Sequence, residues 1–410
     1  MNKIITDSKK IDEVLIRGVD EIIDKSHLKK KLMSGKKLRV KLGIDPTGPR
    51  LHIGRSIPLL KLRDFQELGH QIVLIIGDFT GLVGDTSDKT SERPMLDTKT
   101  VEKNMAGYVD QIKPILDVSK IEVRHNSEWL SKLKFIEIAE MANLFSVHEF
   151  IARENIKLRM DAGKRVVLRE VLYPLMQGYD SVAVKADVEL GGTDQRFNLL
   201  AGRAIQPLYK QEPQDIIMNP LVDGLDGKKM STSQGNIVAM QDDPAEQYGK
   251  IMSVRDELIL PYFEYLTRVP MKEIADHRRQ LLSGHNPRDI KMALAHTIVE
   301  MYHGKSLAKK AELSFITQFQ KGEIPKDIPE VAIPKSLARK SKSKGPIAED
   351  IPSLLLDLKL VSSKSEARRL IEQNAVHIDG ALITDWQADV CLYDGMIIQV
   401  GKRKIVKIKK

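Results

Sequence analysis

Two short stretches of this chain carry the residue types that handle phosphate. The first is Gly43-Ile-Asp45-Pro46-Thr47-Gly-Pro-Arg-Leu-His52-Ile-Gly54-Arg55. It follows an apolar run that reads as a strand and opens a run that reads as a helix. Such a junction points backbone N–H groups and the positive end of a helix at an anion. Gly54 lets a nucleotide approach the backbone, and His52 can donate a hydrogen bond to a phosphate. Taken alone, a His-x-Gly is equally a surface or core histidine. The second stretch is Asp226-Gly-Lys228-Lys229-Met230-Ser231-Thr232-Ser233, a flexible loop rich in phosphate ligands or, standing alone, a solvated polar turn. Between them, Gly84 to Thr90 ends in Lys-Thr like a phosphate loop. Asp88 stands where that loop needs its second glycine, so the stretch is rejected.

A third constellation suits a small polar molecule. Tyr173, Gln177 and Asp180 are spaced four and three apart and share one helix face. Gln177 and Asp180 are polar within the otherwise apolar segment Val171–Val184, as a site or as the solvated stripe of an amphipathic helix. Downstream, Gly191-Gly-Thr-Asp194-Gln195 follows a strand, with Asp194 placed to accept from ribose hydroxyls.

These residues need a scaffold, and the hydrophobic pattern supplies one. Strands are predicted at Leu38–Ile44, Gln71–Ile76, Ile121–Arg124, Asp187–Leu190 and Asp215–Met218. Helical spacing predicts helices over 10–33, over Pro58–Leu68 ending at Gly69, and over about 97–117. Strands alternating with helices argue for a parallel sheet covered on both faces. From Asp243 to about Gln320 the pattern is purely helical. Residues 321–347 hold Pro325, Pro329, Pro334 and Pro346 and read as a linker. Two short helices, Ser353–Leu360 and Ser365–Gln373, then precede short strands with turns at Asp379-Gly380 and Asp394-Gly395.

The 410 residues suggest two or three domains. No apolar run reaches the roughly 20 residues that cross a bilayer, and Met1 to Lys10 does not read as a secretory signal. The single cysteine, Cys391, forms no intrachain disulfide and is expected to be structural or incidental. No histidine spacing suggests a metal site; His148-Glu149 is not followed by a histidine at helical distance. A cytoplasmic setting fits. Lys335–Lys344 carries five basic residues and Lys402–Lys410 six, with no acid in either. Against a net charge of +9, the rest of the chain sums to about −2. The basic surplus is either a nucleic-acid surface or a solubilising tail.

The first two stretches together resemble the HIGH and KMSKS signatures of class I aminoacyl-tRNA synthetases, in the right order and on either side of a Rossmann-like region. Tyr-x3-Gln-x2-Asp with Gly-Gly-x-Asp-Gln is similar to the active site of the tyrosyl-tRNA synthetase family; the related tryptophanyl enzymes lack this glutamine and aspartate pattern. The resemblance runs over most of residues 38–240 and also covers the C-terminus. It implies that Asp180 accepts the phenolic hydroxyl of L-tyrosine. Asp85, Tyr173 and Gln177 would hold the ammonium, with Thr80 close by, and Gln195 would contact the carboxylate. Asp45, Gly54, Gly192 and Asp194 would contact ATP, with Lys228 and Met230 from the loop. His52, Thr47, Arg55, Lys229 and Ser233 would stabilise the transition state at the α-phosphate, with Mg2+ accompanying ATP. No residue is assigned to a metal.

The sequence departs from the family pattern in four places. Arg55 replaces a histidine, Thr232 replaces a lysine, and Arg196-Phe197 stands where tryptophan-glycine is usual. Position 41 is lysine where many relatives carry a second tyrosine. Lys41 either points inward to the substrate hydroxyl or is solvated.

The C-terminal stretch Ser353-Leu-Leu-Leu-Asp-Leu, Ser363-Lys-Ser-Glu-Ala-Arg368-Arg369 and Val376-His-Ile-Asp-Gly380 resembles the alpha-L RNA-binding motif, which implies that Arg368 and Arg369 face RNA. The reading is therefore an α/β protein: an N-terminal helical segment over 1–36, a Rossmann-like catalytic domain over 37–236, an all-α tRNA-binding domain over 237–320, a basic linker over 321–348, and a small α+β RNA-binding domain over 349–410. The resemblance implies ATP-dependent activation of tyrosine and its transfer to tRNA(Tyr), by a homodimer whose interface lies around 130–165. A nucleotidylyltransferase would share the His-x-Gly but lack the Tyr173 helix and the RNA module. A non-catalytic RNA-binding protein would have lost His52, Lys229, Asp85, Gln177, Asp180 or Asp194, and all six are present.

Overall fold

The computed structural model describes residues 4–86, 94–232, 235–320, 328–332, 347–401 and 404–409. Ser233, the basic run Lys335–Lys344, and Asp88 of the rejected phosphate loop lie outside the described residues. The described chain divides into two compact units, residues 1–312 and 313–410.

The first unit is built on a six-stranded sheet. Its strands are β1 (Glu21–Ile23), β2 (Arg39–Ile44), β3 (Gln71–Ile76), β4 (Glu122–His125), β5 (Val188–Gly192) and β6 (Asp215–Asn219). They are ordered β1-β6-β5-β2-β3-β4. β2 to β6 are parallel, and β1 adds an antiparallel edge to β6. The predicted strands are all present, because runs such as Ile72–Ile76 and Ile216–Met218 are apolar throughout and are buried on both faces. The strand order reverses between β2 and β5. In sheets of this kind a crevice opens there, at the carboxyl ends of the strands.

Two helix predictions are corrected. The periodicity over 10–33 is interrupted: helices span Ser8–Val14 and Lys25–Met33, with β1 between them. Gly18 at φ 59° and Asp24 at φ 57° break the helix, and the free edge of β6 captures the backbone between them. The stretch 97–117 forms two short helices, Thr98–Met105 and Tyr108–Ile112, parted at Gly107. The helix ahead of Gly69 forms as predicted, over Ser56–Glu67. Beyond β6, five helices follow: Pro244–Met252, Ile259–Leu266, Met271–Leu282, Pro287–His303 and Lys305–Phe315. The first is capped by Asp243, whose side chain accepts from the backbone of Ala245 and Glu246, with Pro244 in the first turn.

The second unit packs two helices, Ile351–Asp357 and Lys364–Glu372, against strands around a core of Ile351, Leu354, Leu355, Ile371, Val376 and Ile398. Its larger sheet is ordered β10-β9-β12-β13-β7, and β8 (Ile347–Asp350) pairs with β11 (Asp389–Leu392). β9 (Val376–Ile378) and β10 (Ala381–Leu382) are joined by Asp379-Gly380, both at positive φ, which is the turn the sequence predicts there. The segment read as a linker is more than that: β7 (Glu330–Ala332) pairs in parallel with β13 (Lys404–Lys409), next to β12 (Ile397–Val400). The described part of the basic tail is thus an inner strand. It buries Ile405, Val406 and Ile408, and Glu330 pairs with Lys407 and Lys409.

A chain ending after Gln320 keeps every element of the first unit. It is expected to melt cooperatively and, for the activity that the resemblance implies, to retain tyrosine-dependent exchange of pyrophosphate into ATP within about twofold, while tRNA charging at physiological salt falls at least about tenfold. Full charging by this fragment would show that the second unit has no part in recognising RNA.

Candidate active site

At the carboxyl ends of β2, β3 and β5 lies a cleft of about 390 Å³. Its lining brings together Asp45, Thr47, His52, Gly54, Arg55, Thr80, Asp85, Tyr173, Gln177, Asp180, Gly192, Asp194, Gln195, Lys229 and Met230, residues that lie far apart in sequence. Lys41 and Lys228 are not part of the lining.

The stretch after β2 is held in place by its neighbours. Asn104 Nδ2 donates to the carbonyl of Pro46 at 2.9 Å, and Tyr108 Oη to that of Gly48 at 2.6 Å. Gln111 accepts from the Leu51 backbone at 2.7 Å and donates to the Pro49 carbonyl at 3.0 Å. His52 bridges to Ala239, which fixes its backbone on the far side. A side chain at position 54 would meet the His52 ring at 3.0 Å, so Gly54 makes room for the imidazole. Burial, then the charges of Arg55 and Lys229, push the His52 pKa down to about 3. The ring is neutral at neutral pH, and its buried Nδ1 has no hydrogen-bond partner among the described residues. It can donate to a phosphate as a dipole, without adding a proton or a charge.

The closed end of the cleft is a chain of hydrogen bonds. Asp180 is buried. Trp129 Nε1 donates to its Oδ1 at 2.7 Å, and Asn126 Nδ2 to its Oδ2 at 3.3 Å. The same Asn126 nitrogen donates to Thr80 Oγ1 at 2.9 Å, and Thr80 donates to Asp45 at 2.7 Å. Tyr173 Oη donates to the other oxygen of Asp45, also at 2.7 Å. A side chain on Gly77 would run into the Asp45 carboxylate at 2.0 Å, so this close approach requires glycine. Desolvation raises the Asp180 pKa to about 7, against the opposing pull of Lys41, Trp129 and Asn126. Burial first, then Asp45 and Asp85, raises the Tyr173 pKa well above its usual value, so this phenol stays protonated.

Asp85 is positioned through its neighbour. Thr86 Oγ1 donates to Glu170 at 2.6 Å, Glu170 is paired with the buried Arg159, and Asn155 donates to the Thr86 carbonyl at 2.6 Å. With Asp45 and Asp85, one end of the cleft is acidic and suits an ammonium group. The Asp45 carboxylate accepts from Tyr173 and Thr80 at this acidic end.

The other end carries Arg55 and Lys229. The loop bearing Lys229 is a tight turn in its described part. Asp223 bridges to Lys229, and Asn236 accepts from the Ser231 backbone at 2.9 Å and donates to Asp226 at 2.6 Å. Lys229 Nζ lies 2.8 Å from Asp194 Oδ2, so the two residues expected at phosphate and ribose are paired with each other. Lys228 is exposed.

Lys41 departs from both expected placements. It neither reaches the cleft nor meets solvent. Its ammonium is fully buried between Glu189 at 2.9 Å, Ser181 Oγ at 2.7 Å and the Gln177 carbonyl at 3.0 Å, and these three use all its protons. Asn126, Trp129 and Glu189 were not singled out from sequence. Asn126 follows a parallel strand directly, where such sheets place functional groups, and Glu189 is an acid inside an apolar strand; both signals were present.

In the second unit Arg368 and Arg369 are exposed, and the Arg368 guanidinium lies 4.2 Å from the Trp386 ring centroid. This cation–π contact presents a flat, charged platform.

Residues 33–320 match the family described as tRNA synthetases class I (W and Y), and residues 351–387 match the S4 domain. A tyrosine–tRNA ligase of Moorella thermoacetica is 45% identical over 401 residues, covering 96% of this chain and 94% of that protein. That of Shewanella oneidensis is 45% identical over 404 residues, covering 97% and 98%. In fold, the chain is similar to a C-terminally truncated mitochondrial tyrosyl-tRNA synthetase of Aspergillus nidulans, with a TM-score of 0.64 at 21% identity over 76% of this chain and 94% of that one. A tyrosyl-tRNA synthetase of Archaeoglobus fulgidus, complexed with L-tyrosine, gives 0.60 at 22% identity over 75% and 100%.

The resemblance implies that Lys229 meets the phosphate, a contact that would replace its pairing with Asp194. Lys229→Ala is expected to slow adenylate formation by about 10²–10³ while changing tyrosine affinity less than about threefold. Single-turnover kinetics with an unchanged rate would make the loop a structural turn.

Proposed function

We propose how the cleft divides its labour, given that this chain belongs to the tyrosine–tRNA ligases, class I synthetases that join tyrosine to its transfer RNA. The chain is an enzyme that activates L-tyrosine with ATP to tyrosyl-adenylate and pyrophosphate, then transfers tyrosine to the 3′ end of tRNA. The observation that carries the site assignment is the placement of the buried Asp180 in a cleft that both signature stretches line.

Tyrosine enters with its ring toward Asp180, and the phenol donates to the carboxylate. Its ammonium meets Asp45, Asp85, Tyr173 and Gln177, and Gln195 steadies its carboxylate. The nucleotide lies along Gly54, Gly192 and Asp194, with Met230 beneath it. The tyrosine carboxylate attacks the α-phosphorus in line, and pyrophosphate leaves. Negative charge grows on the phosphate oxygens, facing His52, Thr47, Arg55 and Lys229. The tRNA 3′-terminal ribose then attacks the mixed anhydride, releasing AMP. No protein nucleophile is involved; the barrier falls through positioning and preset dipoles and charges. ATP is taken as its magnesium complex. Arg368 and Arg369 contact the tRNA backbone, and the setting is the cytoplasm.

We assign the enzyme to a homodimer. Four neighbouring helices, Phe135–Ala142, Val147–Ile151, Glu154–Asp161 and the start of Leu168–Val184, leave Phe135 86%, Val147 74% and Leu168 73% exposed. Large apolar side chains gathered in this way suit a self-complementary contact, and a second copy offers the same surface. Phe135→Asp with Val147→Asp is expected to convert a dimer to a monomer in sedimentation equilibrium. A variant still dimeric at micromolar concentration would place the interface elsewhere.

The raised pKa of Asp180 sets the pH dependence of selection. Above about pH 7 the buried carboxylate is ionised and gains from tyrosine a donor, beyond Trp129 and Asn126, that phenylalanine lacks. Below that pH the acid is protonated and the penalty against phenylalanine shrinks. The tyrosine-to-phenylalanine ratio in pyrophosphate exchange is therefore expected to rise about tenfold from about pH 6 to about pH 8, and to become flat in Asp180→Asn. A ratio independent of pH in the unaltered enzyme would show that the carboxylate does not act as the hydroxyl's acceptor.

A further inference from the structure

Two oppositely charged residues sit in the middle of the apolar sheet, beneath the cleft and outside its lining. Lys41 on β2 and Glu189 on β5 are register partners in the two central strands. Each side chain is 1% exposed, and Lys41 Nζ lies 2.9 Å from Glu189 Oε1. They flank the point where the strand order reverses, directly behind the helix that carries Gln177 and Asp180.

The hydrogen bonds of Glu189 are fully assigned. Its Oε1 accepts from Lys41 and from Gln177 Nε2, the latter at 3.1 Å. Its Oε2 accepts from Ser181 Oγ at 3.1 Å and from Gln214 Nε2. An ionised carboxylate only accepts. It can therefore take only the NH2 end of the Gln177 amide, which leaves the amide oxygen as the free end. Gln177 lines the cleft at its acidic end. An oxygen there accepts from a substrate ammonium; an NH2 group would repel it.

We propose that the buried Lys41–Glu189 pair fixes which end of the Gln177 amide faces the amino acid, making Glu189 a positioning residue for recognition of the tyrosine ammonium. This rests on the reading above that Gln177 meets that ammonium. Lys41 has two roles in the arrangement. It supplies the countercharge to the buried Glu189 carboxylate, 2.9 Å away. It also holds the Gln177 backbone through that residue's carbonyl, and its charge opposes the burial that raises Asp180. The substrate's two polar ends are thus served by one buried ion pair that touches neither.

The test uses Glu189→Gln, the charge-free pair Lys41→Met with Glu189→Gln, and Gln177→Ala, in the full-length enzyme. The double variant matters because Glu189→Gln alone strands a buried ammonium and can unfold the protein, whereas removing both charges avoids that. Pyrophosphate exchange gives KM for tyrosine and for ATP. Competition with 3-(4-hydroxyphenyl)propionate, which lacks only the ammonium, gives the affinity for the rest of the molecule. The double variant is expected to raise KM for tyrosine about tenfold, with KM for ATP and the affinity for the deaminated analogue unchanged. A purely structural pair would weaken tyrosine and its analogue together. That result, or a double variant with the original KM for tyrosine, overturns the proposal. An unchanged KM for tyrosine in Gln177→Ala removes the premise instead, and shows that the ammonium is held by the carboxylates alone.

Discussion

A carboxylate that is buried must find donors, and the closed end of this cleft is organised by that constraint. Asp180 and Asp45 are tied into one continuous run: Trp129 and Asn126 donate to Asp180, Asn126 also donates to Thr80, and Thr80 and Tyr173 donate to Asp45. Five segments meet in this run: the residue after β2, the turn after β3, the residue after β4, the short helix Ser127–Leu130 that carries Trp129, and the Leu168–Val184 helix. Each member is held by the next, so the acceptors are aimed before any substrate arrives. Asn126 is the hinge of the arrangement. Its oxygen accepts from the Phe79 backbone while its nitrogen serves two partners, so its amide cannot turn round.

The same constraint explains the contrast between the two ends of the cleft. At the acidic end, Asp45 and Asp85 crowd around Tyr173. At the other end, Lys229 already has a partner in Asp194, and His52 is kept neutral by burial and by two nearby cations. Neutrality suits the chemistry. A histidine that gained and lost protons near neutral pH would make stabilisation of the phosphate depend on pH. A neutral donor beside permanent cations does not.

Much of this was legible in the sequence, for identifiable reasons. Parallel strands buried on both faces are largely apolar, so β3 and the Ile216–Met218 run of β6 stand out most clearly, and the residues at the carboxyl ends of the strands fall where the crevice opens. The helix face of Tyr173, Gln177 and Asp180 follows from spacing alone. What was missed depends on partners distant in the chain. Helical periodicity over 10–33 said nothing of the β6 edge that claims Glu21–Ile23. Glu330–Ala332 lies among prolines and becomes a strand only because β13 offers it an edge. Lys41 looked like a substrate contact or a solvated residue because its true partner, Glu189, lies far along the chain.

The Lys41–Glu189 pair also shows why a charge in a core strand can serve selectivity better than stability. A buried ion pair rarely stabilises a fold more than apolar residues of the same size would. In β2 and β5 such residues would have packed as well, as Val40 and Val188 do one step away. Apolar replacements could not distinguish the two ends of an amide. The Gln177 side chain has nearly the same shape either way round, so packing alone cannot orient it; only a partner that accepts and never donates can. A carboxylate paired with a buried ammonium meets that requirement. The four donors around Glu189 and the three acceptors around Lys41 follow from that single requirement.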